Sequence, residues 1–198
     1  MNEVSSTPAY KELVYKILNW REEGRRRELS AIRKGAISQT EFYAYPYIIH
    51  YAQTPERDDE RIALLRVAAI IAEFANVPQA EAELRKHTLG LWARQVAMAR
   101  SDIRGSDTVI ENRLTYIHTQ PLEQAILTIR RIFQIASSNK TACPAIDYVN
   151  LLHTFLRWGK GVSQTSKQSR LRILRDYYSF VPQTSELNKS LEQTDHED

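Results

Sequence analysis

The sequence predicts an all-α protein of roughly nine helices in two packed helical subdomains. Apolar residues recur at the helical period of 3.6 along most of the chain, and almost no segment alternates apolar and polar residues as a half-buried strand does. The 198 residues are 42% hydrophobic and 26% charged, with six glycines and seven prolines, which is typical of a globular protein. A chain of this length can bury a core without metals or disulfides.

The first two helices are predicted from an apolar face and from the residues that bound it. The first begins at Pro8, because a first helical turn tolerates proline. Its apolar face carries Tyr10, Leu13, Val14 and Ile17. The second covers about residues 25–34 and is expected to end at Gly35 in a left-handed cap.

The third and fourth segments are an interrupted helix and a regular one. The third contains Pro46, which is expected to bend or break it, and its apolar stripe consists of Phe42, Tyr45 and Ile49. The most regular helix covers about residues 57–76. Its repeating apolar positions are Ile62, Leu65, Ala69 and Ala72.

Five further helices are predicted in the second half of the chain. Thr88 is placed to cap a helix around Trp92, and Thr119 before Pro121 is a helix start signal. The other helices are expected at about residues 106–117, 121–136, 146–158 and 163–181. We expect an N-terminal subdomain, a C-terminal subdomain and a tail, at residues 1–86, 87–181 and 182–198.

Charge is unevenly distributed along the chain. The net charge of +3 divides into −4 on residues 182–198 and +7 on residues 1–181. A basic body favours polyanion partners through an attraction to phosphate that does not depend on sequence. The acidic tail is polar and has no aromatic residue, so we expect it to be disordered.

The sequence offers no recognisable catalytic or metal site. Its five histidines have no ligand spacing, and there is no CxxC, HExxH or phosphate-loop motif. Asp58, Asp59 and Glu60 are consecutive, so on a helix they point in different directions and are expected to stabilise its N-terminus. We therefore expect a protein that is not an enzyme and that uses no cofactor or metal.

The single cysteine indicates the cellular compartment. Cys143 cannot form an intramolecular disulfide, and no signal peptide is recognisable. The most apolar run, residues 67–72, is far too short to span a bilayer. These observations indicate a cytoplasmic protein with no membrane contact.

The first of three basic groups lies on the predicted second helix. A step of 100° per residue places an apolar side next to an arc of four cations, Arg26, Arg27, Arg33 and Lys34. Alternatively, this arc is a solvated face whose charges pair with Glu22, Glu23 and Glu28. The sequence leaves both interpretations open.

The other two basic groups lie in the second half. Between residues 155 and 175 no acidic residue intervenes. The cations there are Arg157, Lys160, Lys167, Arg170, Arg172 and Arg175. On a helix, Arg172 and Arg175 project to one side and Lys167 and Arg170 to another. The third group is Arg130 and Arg131, beside an apolar stripe.

Four segments together carry a family resemblance. They are Leu-Leu-Arg-Val at residues 64–67, Leu-Gly-Leu-Trp-Ala-Arg at 89–94, Glu-Asn-Arg-Leu at 111–114 ahead of the arginine pair at 130–131, and Ile-Asp-Tyr-Val-Asn-Leu-Leu at 146–152 followed by Leu-Arg-Trp-Gly at 156–159. In this order they resemble the small subunit of the type I-E CRISPR interference complex, the CasB family of Cascade. The resemblance covers most of residues 9–181.

The resemblance implies an all-helical, non-catalytic subunit, present in two copies in a complex guided by CRISPR RNA (crRNA). Its implied partners are the backbone and large subunits of Cascade, a second copy of itself, crRNA, and the target and displaced DNA strands. The guide reads the target by base pairing, whereas the small subunits stabilise the R-loop, and especially its displaced strand, by contacting the nucleic-acid backbone.

The candidate nucleic-acid contacts are basic residues without a pattern that reads bases. They are Arg26, Arg27, Arg33, Lys34, Arg113, Arg130, Arg131, Arg157, Lys160, Arg170, Arg172 and Arg175. Trp92 and Trp158 lie in apolar stripes and are expected in the core or at a subunit interface.

Two alternatives stay open. A helix-turn-helix regulator would need Asn, Gln and Arg at the start of a recognition helix, and none of these helices offers that set. A helical adaptor would bind protein partners and have no affinity for nucleic acid.

We predict that removing residues 182–198 leaves folding intact. Leu187 and Leu191 are too sparse to contribute to a core, and the loss of a net charge of −4 is expected to strengthen binding to DNA. Thermal melting of the full and truncated chains tests this. A large drop in the melting temperature of the truncated chain would mean that the tail docks on the body.

Overall fold

The computed structural model of the chain describes residues 8–80, 88–104, 108–138, 143–158 and 163–179. These ranges contain nine α-helices and, apart from one isolated bridge between Gln79 and Ile146, no β-structure. The predicted all-α class is confirmed. The helices are α1 (Ala9–Glu22), α2 (Arg26–Arg33), α3 (Tyr45–Ile48), α4 (Asp58–Glu73), α5 (Leu89–Arg104), α6 (Val109–Leu114), α7 (Leu122–Ser137), α8 (Tyr148–Leu156) and α9 (Gln164–Tyr178).

Helix α4 passes through the centre of the hydrophobic core. Its residues 63–72 are all buried, and α1, α2, α7 and α8 pack against it. A helix buried on every side is apolar all round and not only along one stripe, and in this segment the one charged exception is Arg66. The first turn of α4 holds Asp58, Asp59 and Glu60, which is the end of a helix where acidic side chains interact favourably with the helix dipole.

The second packing centre is the contact between α5 and α9. Gly90, in the first turn of α5, faces the backbone of α9. A Cβ atom at Gly90 would overlap the carbonyl oxygen of Ile173 and lie 2.9 Å from the backbone nitrogen of Tyr177. Only glycine allows the two helices to approach this closely. Next to this contact, the Thr88 hydroxyl donates a hydrogen bond to Asp176 of α9 (2.9 Å).

Gly35 does not form the predicted left-handed cap. The only described residue with a positive φ is Gly24 (67°), which follows α1, whereas Gly35 is buried in a 3₁₀ turn at Lys34–Ala36. A Cβ atom at Gly35 would lie 3.1 Å from the carbonyl oxygen of Leu65 and 3.3 Å from Ala44 Cβ. The prediction was wrong because Gly35 is placed by close packing against α4.

The region around Pro46 consists of short helical pieces. Pro46 lies in the first turn of α3, where its missing N–H costs no hydrogen bond, and 3₁₀ turns flank this helix at Glu41–Tyr43 and Ile49–Tyr51. The predicted interruption is therefore present. Phe42, however, is 55% exposed, so the predicted apolar stripe does not reach the core at that residue.

The later helices begin and end within a few residues of the predicted positions. Thr119 lies in a 3₁₀ turn, and Pro121 occupies the N-cap position of α7, so Thr119 is a start signal in sequence but not the cap in space. Asp147 and Ser163 cap α8 and α9 by accepting hydrogen bonds from the backbone amide three residues later (2.9 and 3.3 Å).

The predicted subdomain boundary lies at residues 86 and 87, outside the described residues. Helices α7 and α8 from the second half pack against α4 from the first half, and residues of both halves belong to one buried apolar cluster. We retain the two subdomains, residues 1–86 and 87–181, as a proposal in which both halves share one core.

Arg66 connects three elements of the chain from within the core. Its Nη1 donates a hydrogen bond to the carbonyl oxygen of Gly35 (2.7 Å) and lies 2.8 Å from Glu41 Oε2. Its Nη2 donates to Glu123 of α7 (2.8 Å). Since a buried guanidinium is costly unless it is paired and hydrogen-bonded, these contacts fix the two 3₁₀ turns and α7 relative to α4.

Glu41 is the buried acid of this network. Its carboxylate also accepts hydrogen bonds from the Tyr45 hydroxyl (2.9 Å) and from Arg61. Burial by itself raises the pKa of Glu41, but Tyr45 and the guanidinium groups of Arg66 and Arg61 outweigh burial and hold the pKa below its ordinary value. The ionised form is therefore the one that the fold stabilises.

We predict that Gly90→Ala destabilises the protein. Without a steric conflict, alanine in a helix would stabilise it by about 0.5–1 kcal/mol relative to glycine, but the overlap with α9 is expected to cost about 1–3 kcal/mol. Urea unfolding measures the change. Equal or greater stability of the variant would contradict the close approach of α5 and α9.

We predict that Glu41→Gln lowers the free energy of unfolding at neutral pH by up to about 3–5 kcal/mol, because it removes the buried carboxylate partner of Arg66 and leaves that guanidinium only its exposed partner Glu123. Since the folded pKa is lowered, the stability that Glu41 contributes is present above its ordinary pKa of about 4.3 and is lost as pH falls below that value. Urea unfolding between neutral and acidic pH tests both points. The control is Glu123→Gln, which changes the exposed partner of Arg66 and is expected to cost about 0–1 kcal/mol.

Candidate nucleic-acid interface

Eleven of the twelve candidate basic residues belong to the described part of the chain, and Lys160 lies outside it. The structure distributes the eleven over several surfaces. Their surroundings separate those that contact other parts of the protein from those that face solvent.

Arg26 and Arg27 are exposed in the first turn of α2. The neighbouring acids do not neutralise them: Arg25 is the residue that pairs with Glu23 (2.8 Å) and Glu28 (3.9 Å). Positive charge at a helix N-terminus opposes the helix dipole. Arg26 and Arg27 therefore occupy positions that do not favour the stability of α2.

Arg33 and Lys34, at the other end of α2, contact the protein. The Nε of Arg33 donates a hydrogen bond to the carbonyl oxygen of Ala72 (2.9 Å), in the last turn of α4. The Nζ of Lys34 lies 3.9 Å from the centre of the Tyr43 ring, which is a cation–π contact. Both side chains remain exposed.

The two neighbouring arginines on α7 have different surroundings. Arg130 is half-buried and donates two hydrogen bonds to the Glu73 carboxylate, from Nε (2.8 Å) and Nη2 (2.9 Å). Arg131 is exposed and forms no ion pair with another described residue. Arg113, on α6, is half-buried.

Three arginines line one open groove beside α9. Arg157, just after α8, and Arg172 and Arg175 of α9 border a space of about 580 Å³. The other lining residues are Thr165, Gln168, Ser169 and Leu171. We call this space the arginine groove.

One acid faces two of the groove arginines. The carboxylate of Asp176 lies 3.4 Å from Arg172 Nε and 3.5 Å from Arg175 Nη2, and it also accepts the hydrogen bond from Thr88. Arg157 is exposed and has no ion-pair partner in the described ranges. The groove therefore keeps a net positive charge, with three arginines against one carboxylate.

Arg170 points away from the groove and supports the core. Its Nη2 donates to the carbonyl oxygen of Trp158 (2.8 Å) and its Nη1 to that of His118 (3.4 Å), while the guanidinium lies 5.2 Å from the centre of the Trp158 ring. The predicted separation of Arg170 from Arg172 and Arg175 on the surface of the helix is confirmed.

Trp92 and Trp158 are buried in the core, as predicted. The indole Nε1 of Trp92 donates to the carbonyl oxygen of Pro144, and that of Trp158 donates to Gln120, both at 3.0 Å. Neither ring is available to stack on a base in this structure.

Sequence reasoning missed the uncharged part of the groove. Thr165, Gln168, Arg172 and Arg175 recur at spacings of three and four residues on α9, which is the spacing of one helix face. This periodicity was the signal that could have grouped them. The position of Arg157 beside this face depends on how α8 and α9 pack, which no local pattern reveals.

The described part of the chain shows neither a metal centre nor a membrane span. It contains no group of three or more His, Cys, Asp or Glu side chains arranged to hold a metal ion. None of its helices combines the length and the apolar character needed to cross a bilayer.

Solved structures share the fold at low sequence identity. A Cse2-family CRISPR-associated protein from Thermus thermophilus is 19% identical, with a TM-score of 0.58 over 84% of this chain and 98% of that one. A structure of CasB, also from Thermus thermophilus, is 20% identical, with a TM-score of 0.57 over the same shares. A chain of a CRISPR RNA-guided surveillance complex is 20% identical, with a TM-score of 0.58 over 86% of this chain and 94% of that one.

No curated protein sequence matches the chain. A family model described as CRISPR-associated protein Cse2 matches residues 28–178, which include α3 to α9, most of α2 and all candidate basic residues except Arg26 and Arg27. The chain therefore belongs to the Cse2 family of CRISPR-associated proteins.

Proposed function

We propose that this chain is a non-catalytic small subunit of a crRNA-guided Cascade complex in antiviral defence. Family membership and the fold shared with a chain of a CRISPR RNA-guided surveillance complex support this assignment. Its proposed partners are the backbone and large subunits, a second copy of itself, crRNA, and the target and displaced DNA strands. The protein works in the cytoplasm, where these partners meet.

The arginine groove is the observation that carries the nucleic-acid part of the proposal. Its three guanidinium groups can each donate paired hydrogen bonds to phosphate oxygens, and hydroxyl and amide groups such as those of Thr165, Gln168 and Ser169 are common phosphate ligands. A groove with these donors holds a backbone and does not select a base sequence.

Weak contacts of this kind are sufficient for R-loop stabilisation. Replacing a DNA duplex by an RNA–DNA heteroduplex is close to balanced in free energy, so backbone contacts that add a few kcal/mol can decide whether the opened state persists. The small subunit would then supply stability and leave sequence recognition to the guide.

The other candidate residues take a second rank in this proposal. Arg26, Arg27 and Arg131 are exposed and available to a phosphate backbone. Arg33, Lys34, Arg113, Arg130 and Arg170 follow, because each is half-buried or contacts other protein groups. Lys160 stays a candidate on its sequence position alone.

We predict that the isolated chain binds nucleic acid weakly, without sequence preference and with a strong dependence on salt. In fluorescence-anisotropy titrations, the double variant Arg172→Gln, Arg175→Gln is expected to reduce the salt slope by up to about two, one for each arginine that no longer neutralises a phosphate. The control is Arg25→Gln, Lys167→Gln, which removes the same charge outside the groove lining and is expected to leave most of the slope in place.

The same variants separate the alternatives in a reconstituted complex. The groove variant should assemble with normal stoichiometry by native mass spectrometry and hold the R-loop for a shorter time. Lost stoichiometry would instead favour an adaptor whose arginines serve subunit contacts. A single preferred duplex sequence that survives raised salt would favour a regulator and contradict the proposal.

A further inference from the structure

A second cavity adjoins the arginine groove and has a different character. It encloses about 240 Å³ where the start of α1, the turn before α4 and the end of α8 meet. The rings of Tyr10, Tyr51 and His153 contribute to its lining, and so does the apolar side chain of Leu156. Tyr10 and His153 stack on each other with centroids 5.6 Å apart. We call it the aromatic pocket.

Of the charged groups at the aromatic pocket, Arg57, Asp59 and Glu60 are paired with one another or with the backbone, and Arg157 is not. The Glu60 carboxylate accepts hydrogen bonds from the backbone amides of Gln53 (2.7 Å) and Thr54 (3.1 Å). Asp59 accepts one from Arg57 Nη2 (2.7 Å). The rest of the lining combines aromatic rings and apolar side chains with the polar residues Gln53 and Thr54. With both acids already occupied, this lining suits a flat ligand that has a polar edge better than an ion.

The size of the pocket restricts the ligand further. Its volume is below the range of about 300–1,000 Å³ that is usual for sites of drug-sized molecules. One ring system with its polar edge can enter, whereas a whole nucleotide cofactor cannot. Polar side chains at the rim, such as Gln53 and Thr54, can hydrogen-bond to such an edge.

Arg157 lines both the aromatic pocket and the arginine groove. A strand whose phosphates lie in the groove would therefore pass the mouth of the pocket. We propose that the aromatic pocket receives one unstacked base of a single strand whose backbone is held by the arginine groove, an inference that rests on the proposed function. A base in a duplex is stacked and paired, so the pocket favours a single strand over a duplex.

The test compares two oligonucleotides of equal length and charge, one with thymine bases and one made entirely of abasic residues. The unmodified protein is expected to bind the thymine strand about 5- to 150-fold more tightly, the range that corresponds to one stacked base. Both strands are expected to show the same salt slope, because their phosphates are the same.

A blocking variant assigns this preference to the pocket. Thr54 is exposed at the rim, so Thr54→Phe places a ring in the space and is expected to abolish the preference for thymine while leaving abasic binding unchanged. Gln124→Phe, which adds the same bulk to the exposed surface of α7, is the control and should keep the preference. Circular dichroism checks folding, and Ala9→Phe is a second blocking variant.

The outcomes distinguish the two proposals. Equal affinity of the unmodified protein for both strands would contradict the proposed base pocket, and so would a preference for thymine that both blocking variants retain. Neither result would contradict backbone binding by the arginine groove. If the protein binds neither strand, and the assembled complex holds its R-loop without help from the groove arginines, the proposed function fails as well. The comparison of the two strands uses the unmodified protein, so it tests base binding even if a variant does not fold.

Discussion

The buried charge of Arg66 is the constraint on which the N-terminal half depends. A guanidinium inside the central helix must find acceptors, because an unpaired buried charge would cost more than the marginal stability of a domain allows. It obtains them from three separate segments, at Gly35, Glu41 and Glu123. The backbone between α2 and α3 has little regular structure of its own. It is therefore positioned by the contacts that Gly35 and Glu41 make with Arg66 of α4.

The need of a buried guanidinium for acceptors also separates the other arginines into those that contact the protein and those that face solvent. Where a partner is within reach, as for Arg130 with Glu73 or Arg170 with the carbonyl of Trp158, the side chain joins α7 to α4 or α9 to the end of α8 and acts in the fold. Where no described acid forms an ion pair, as for Arg157, the positive charge stays at the surface and is available to an external anion. Arginine therefore occurs here in two environments, paired within the fold and exposed at the surface.

Local patterns predicted much of this fold. Apolar periodicity and the prolines were enough for α1, α4 and α7, because those signals lie within each segment, and four short segments carried the family resemblance. The sequence did not show which glycine has a positive φ. Gly24 does, whereas Gly35 is required by its close packing against α4. The candidate arginines looked alike for a related reason: the partner of Arg130 is 57 positions away in sequence, and only packing brings it close.

The groove residues on α9 extend from Thr165 to Arg175, about 15 Å along the helix axis at 1.5 Å per residue. At about 3.4 Å of rise per nucleotide, the length of a helical strand that matches this span is about four nucleotides. So short a footprint limits the affinity of one copy, whatever the quality of its contacts. If several copies lay along one strand, as the proposed function requires, effective concentration would strengthen their combined binding, so that a subunit with weak affinity alone would bind tightly in the assembly.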